Sequence, residues 1–185
     1  MNPTLHIALS DAAATHALGG AVAEVVERGD VLLLVGELGA GKTTFTKGLV
    51  AALGCADEVT SPTFTLLHCY PSNPPVAHVD CWRLSELSEV ADLGLEEVLD
   101  DGGVAVIEWG ELAAPFLGQA ALTLSLELVE DEGGTEDGGS TRVARLSTVG
   151  ADWARRRGHL QSACRAAGLT VELLDGAPDD AVAQW

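Results

Sequence analysis

The sequence predicts a three-layer α/β domain on a mostly parallel sheet, and three features of its 185 residues predict it. The runs Val31–Val35 and Val104–Glu108 are almost continuously apolar, as strands buried on both faces of a parallel sheet are. Gly36-Glu-Leu-Gly-Ala-Gly-Lys-Thr43 follows the first run at once and fits the phosphate-binding pattern G-x-x-x-x-G-K-[ST]. Phe45, Leu49, Ala52 and Leu53 then fall on one face of a helix that stops at Gly54. Strand, glycine loop and helix stand in the order that gives the pattern its chemistry.

Gly36, Gly39 and Gly41 permit backbone angles and close approaches that a Cβ would block, so successive N–H groups can converge on phosphate oxygens. The following helix adds about half a positive charge at its N-terminus. Gly36, Glu37, Leu38, Gly39, Ala40, Gly41, Lys42, Thr43 and Thr44 are therefore the expected cradle, with Lys42 reaching the β- and γ-phosphates. The Thr43 hydroxyl is expected to hold a magnesium ion. The chain has only two lysines, Lys42 and Lys47, and one occupies the required position. The fold class is thus a single P-loop NTPase-like domain with a C-terminal hairpin.

The remaining elements follow in order. Leu5–Leu9 reads as a first strand, and Ser10 offers an N-cap to a helix bearing Ala14, Leu18, Ala21, Val22 and Val25 on one face and ending near Gly29. Thr15 on this helix is a candidate contact to base or ribose, with a solvent-facing side chain as the alternative. Thr65–Tyr70 suits a strand, and Pro62 stiffens the loop that presents Thr63, twenty residues beyond Thr43. That placement suits a segment sensing the γ-phosphate; an ordinary turn into an edge strand is the alternative. Val76–Asp80 is a strand ending in an acid, where α/β sheets place ligands. Asp80 is a candidate to orient a water or hold magnesium through one, or else to cap a helix, and Arg83 to steady Asp80 or a partner. Glu86–Asp101 reads as helical in two pieces broken at Gly94. Glu108 ends the next strand as the second magnesium-organising carboxylate, and Trp109 beside it suits stacking on nucleotide or protein, or plain core packing.

Leu122–Val129 and Arg142–Thr148 form the expected hairpin, joined by an acid- and glycine-rich loop, Glu130–Ser140, that reads as disordered. Beyond Gly150 the character changes: Asp152–Ala167 suggests a helix carrying Arg155, Arg156, Arg157 and Arg165, half of the eight arginines. Solvation and docking to an acidic surface are both open to them. The division expected is an ATPase domain over 1–150 and a helical extension over 151–185.

Composition limits the function. With 28 Asp and Glu against 10 Lys and Arg, the formal charge is -18, which opposes direct binding of nucleic acid. Cys55, Cys69, Cys81 and Cys164 are widely spaced, so neither a zinc site nor a disulfide framework is expected. The first residues lack a signal-peptide pattern, and no run approaches the roughly 18 apolar residues of a membrane span. A cytoplasmic protein is expected. A small-molecule kinase would need lid arginines, yet only Arg83 lies between Lys47 and Arg142. A GTPase-like switch would need Asn-Lys-x-Asp, and the only asparagines are Asn2 and Asn73.

Together, Gly36–Phe45, Ser61-Pro-Thr-Phe64, His78-Val-Asp-Cys-Trp-Arg-Leu84 and Ile107-Glu-Trp109 resemble, in order and spacing, the motifs of the bacterial TsaE (YjeE) ATPases. The resemblance runs from about Leu5 to Thr148. It implies an ATPase that binds ATP and Mg²⁺ and works with TsaB and TsaD in making threonylcarbamoyladenosine at position 37 of tRNAs reading ANN codons. It also implies that Lys42 and the loop amides bind phosphates, that Thr43 and Glu108 organise the metal, that Thr63 is the switch threonine and that Asp80 is the acid of hydrolysis. Trp82 stands where the family commonly has tyrosine, and the extension from about Ala151 lies outside its pattern.

Overall fold

The computed structural model describes residues 4–109, 121–129 and 141–174. They form one eight-stranded sheet of order β3-β4-β5-β2-β6-β7-β1-β8. Its strands are β1 Thr4–Leu9, β2 Val31–Val35, β3 Leu67–Tyr70, β4 Val76–Asp80, β5 Val104–Glu108, β6 Ala121–Val129, β7 Thr141–Val149 and β8 Thr170–Leu174. The centre is parallel, β4-β5-β2-β6, and antiparallel pairs flank it. The helices are α1 Ala12–Ala23, α2 Lys42–Ala52, α3 Leu87–Ala91, α4 Leu95–Asp100 and α5 Ala151–Ala166.

Period-two alternation sorts the layers. Leu32 and Leu34 of β2, with Val104 and Val106 of β5, pack in one core with Leu18 of α1, Phe45 of α2 and Leu160 of α5. Val31, Leu33, Ala105 and Ile107 point the other way, into a smaller core with Val90 of α3 and Leu95 of α4. Both faces of the parallel centre are thus covered, which is why its strands read as unbroken apolar runs.

Beyond one-residue shifts at the ends of β1, β6, β7 and α5, four features differ from the sequence reading. Asp11, not Ser10, caps α1: its Oδ1 accepts the Ala14 amide at 2.7 Å, three residues on, where a capping side chain must reach. α1 also ends at Ala23, short of Gly29. β3 starts at Leu67 because Thr65 and Leu66 donate back to the Pro62 carbonyl, a turn completed by Leu66 at φ 65°. After α5, Gly168 at φ 80° turns the chain into β8, an unexpected strand that pairs antiparallel with β1 from Thr4↔Leu174 to Ala8↔Thr170. β6 and β7 pair as expected, while the loop over 130–140 lies outside the described residues. No disulfide joins the four cysteines, and burial pushes the Cys164 thiol up to about 12.

The arginines of α5 divide. Arg155 pairs with Asp152 on the surface. Arg156 grips Asp30 through both terminal nitrogens, at 2.6 and 2.7 Å, donates to the Val25 carbonyl at 2.8 Å, and stacks on Trp153. The bond to Asp30 raises the Arg156 pKa above its ordinary value. Asp30→Asn would set an amide NH₂ or a single carbonyl against this fork, an expected loss of about 1–3 kcal/mol. At about 2–4 °C per kcal/mol, the melting temperature should fall by roughly 2–12 °C. An unchanged melt would mean that the pair contributes nothing to docking α5.

Candidate functional site

The site is built at the carboxyl ends of β2, β4 and β5. Leaving β2, Gly36 adopts φ 148°, and a Cβ there would lie 2.5 Å from the Leu126 carbonyl oxygen. Gly41 enters α2 at φ 112° and caps it without a side chain, so no N-cap side chain stands over the first turn of the helix. Uncapped amides at a helix N-terminus make an anion site. The loop faces a cavity of about 390 Å³ lined by Leu38, Gly39, Gly41, Lys42, Thr43, Thr44, Ser61, Thr63, Asp80, Trp82, Glu108 and Trp109.

Parallel pairing of β4 with β5 puts Asp80 directly opposite Glu108. Both are buried, at 3% and 4% exposure. Glu108 Oε1 accepts the Thr43 hydroxyl at 2.8 Å and lies 2.9 Å from His78 Nε2. Asp80 Oδ2 accepts Thr63 Oγ1 at 2.6 Å and Ser61 Oγ at 3.3 Å, while Oδ1 accepts the Trp82 amide at 2.9 Å. Asp80 therefore tethers the Ser61–Thr63 loop and closes the turn after β4; no helix begins there for it to cap.

Lys42 is 4% exposed and folds back, donating to the carbonyls of Gly36 at 2.6 Å and Glu37 at 3.0 Å. Its ammonium lies 4.0 Å from the centre of the Trp109 ring. Trp109 holds a left-handed backbone, φ 56°, which puts its ring against both Lys42 and Trp82, the two indole centroids 4.4 Å apart. Leu38, Phe64 and Trp82 stand exposed at the rim, and Arg83 stacks on Phe64 rather than reaching Asp80.

Of the expected contacts, ten line the cavity together, while Gly36, Glu37, Ala40 and Thr15 do not. Gly36 and Glu37 supply carbonyls to Lys42, and Ala40 accepts Arg142 Nε at 2.8 Å. Thr15 is neither solvent-facing nor directed at the cavity. Its hydroxyl donates to Asp11 O at 3.2 Å, and its methyl sits beneath the loop, 3.2 Å from where a Cβ on Gly41 would be. Sequence reasoning missed His78 and Arg142. His78 had a signal, since it shares a strand face with Asp80 two residues away; Arg142 arrives from β7 with no local cue.

A model of the family described as "Threonylcarbamoyl adenosine biosynthesis protein TsaE" matches residues 9–136. The tRNA threonylcarbamoyladenosine biosynthesis protein TsaE of Treponema pallidum is 44% identical over 113 residues, covering 61% of this chain and 84% of that protein. Its namesake in Streptomyces coelicolor is 42% identical over 141 residues, covering 74% and 92%. The crystal structure of YdiB from Bacillus subtilis superposes with a TM-score of 0.70 at 29% identity, covering 90% of this chain and 97% of that one. The family match spans well over half of the chain and takes in β2, the loop, both acids and Trp109: the chain belongs to the TsaE family.

Proposed function

We propose that this chain is a Mg²⁺-dependent ATPase that serves threonylcarbamoyladenosine synthesis in tRNA, working in the cytoplasm with TsaD and TsaB proteins. The observation that carries the reading is the placing of Asp80 and Glu108 at one register position, lining one cavity with Thr43 and the N-terminus of α2. ATP would lie with its phosphates over Gly39–Thr44, and Lys42 would exchange two carbonyls for β- and γ-phosphate oxygens, which carry full charge.

The donor set suits Mg²⁺. Thr43 Oγ1 and a Glu108 oxygen are hard oxygen donors 2.8 Å apart on the cavity wall. Among the described residues no group of three His, Cys, Asp or Glu side chains could hold a metal unaided. Mg²⁺ takes most of its ligands from phosphates and water, so two protein oxygens suit it. Once bound, the ion would neutralise phosphate charge as the bond to the γ-phosphate breaks. Asp80, held by Thr63 and the Trp82 amide, would accept a proton from an attacking water and orient it. Among the described residues no arginine lines the cavity, which argues for slow turnover alone and for completion by a partner. The exposed rim of Leu38, Phe64 and Trp82 suits protein contact, and the charge of -18 leaves tRNA binding to other subunits.

Asp80→Asn should slow hydrolysis roughly tenfold, about 1.4 kcal/mol in the barrier, with ATP affinity within about threefold of wild type. Equal losses of both would make Asp80 a structural tether only. The pathway is tested by ATP hydrolysis with and without purified TsaD and TsaB, alongside threonylcarbamoyladenosine formation in tRNA. Partner-stimulated hydrolysis and modification are expected; no response to partners would remove the pathway and leave the nucleotide site standing.

A further inference from the structure

His78 is wholly buried in the middle of β4, and nothing proposed above uses it. Its Nε2 meets Glu108 Oε1 at 2.9 Å, the same oxygen that receives the Thr43 hydroxyl at 2.8 Å. Its Nδ1 is buried with no hydrogen-bond partner. As a packing element this is a poor choice, because an orphaned buried polar atom costs about 1–3 kcal/mol and an aliphatic side chain would fill the space. The arrangement makes sense through Glu108.

A carboxylate oxygen accepts, so Nε2 carries the proton of this contact. With His78 and Thr43 both donating to Oε1, the carboxylate cannot rotate without breaking two bonds. The Thr43 hydroxyl has one proton, and committing it to Glu108 turns its lone pairs away from the carboxylate. We propose that His78 is a positioning residue: it locks Glu108 so that Thr43 presents a lone pair, not its proton, to a divalent cation. His78 would thereby set how strongly Mg²⁺ supports nucleotide binding. This rests on Thr43 and Glu108 as the cation site, and a second donor behind a metal-organising group is typically worth about tenfold or more in metal affinity.

The test is calorimetric titration of ATP into the full chain, in EDTA and across a Mg²⁺ series, for wild type, His78→Leu and His78→Gln. Glutamine retains an N–H near the Nε2 position; leucine keeps the volume and loses the donor. Wild-type affinity should rise with Mg²⁺. His78→Leu should keep its metal-free ATP affinity within about twofold and need about tenfold more Mg²⁺ for half of the gain, and His78→Gln should restore the wild-type requirement within about threefold. Equal loss with and without metal, or failure of glutamine to restore, overturns the proposal in favour of packing. If His78→Leu does not fold, His78→Gln decides: a near-normal Mg²⁺ requirement supports the proposal and a tenfold rise overturns it. A wild type indifferent to Mg²⁺ overturns the cation site itself, and this inference with it, before any substitution is read.

Discussion

Lys42→Ala should weaken ATP binding by roughly two to three orders of magnitude, the loss of about 3–4 kcal/mol expected when one partner of a buried charge pair is truncated. Lys42 is the only lysine at the cavity, where no arginine among the described residues supplements it. Its charge is also already desolvated, at 4% exposure, so the phosphates would gain a cation that has given up most of its water before they arrive. The loss should be graded, large for ATP and small for AMP, because the ammonium serves the β- and γ-phosphates. Lys42→Met separates charge from packing: it keeps the stem near Trp109, should melt within a few degrees of wild type, and should bind ATP as poorly as alanine does. Calorimetry with AMP, ADP and ATP reads the gradient. If Lys42→Met bound ATP like wild type, the loop would not be the phosphate cradle.

The parts of this site that were legible in the sequence share one property: their partners are close along the chain. The run Val31–Val35, the glycine loop and α2 are contiguous, and both acids announce themselves as polar ends of apolar strands. What joins distant segments was not legible. That Asp80 stands opposite Glu108 follows from the β4–β5 register, which either strand alone leaves undetermined. β8 is five residues long, and its partner β1 lies at the other end of the chain, so only pairing distinguishes it from a tail. Arg142 reaches the Ala40 carbonyl across 102 residues. Thr15 was misjudged because the face that α1 buries is set by how closely α1 meets α2, a distance that periodicity does not encode.

That distance supplies the largest expected effect on stability. α1 and α2 meet backbone to backbone: a Cβ on Gly19 would lie 2.1 Å from the Phe45 carbonyl oxygen and 2.7 Å from the Leu49 amide nitrogen. From the other side, a Cβ on Gly48 would lie 1.9 Å from the His16 carbonyl oxygen. None of these atoms is the tip of a side chain that can swing aside, so Gly19→Ala must push the helices apart. The expected cost is at the upper end of overpacking, about 3 kcal/mol, or a melting temperature lower by roughly 6–12 °C. Gly20→Ala, one residue on, is the control. Its nearest neighbour would be Ala52 Cβ at 4.0 Å, an ordinary contact, and alanine is favoured over glycine within a helix by about 1 kcal/mol, so this variant should melt a few degrees higher. The two alanines should also differ at the nucleotide site. Thr15 lies one turn before Gly19 and supports Gly41 from below, so displacing α1 removes that support and should weaken ATP binding in Gly19→Ala even where it remains folded, while Gly20→Ala binds normally. Melts of opposite sign with affinity following only the first would tie the α1–α2 contact to the loop; equal shifts for both variants would mean that the helices do not touch there.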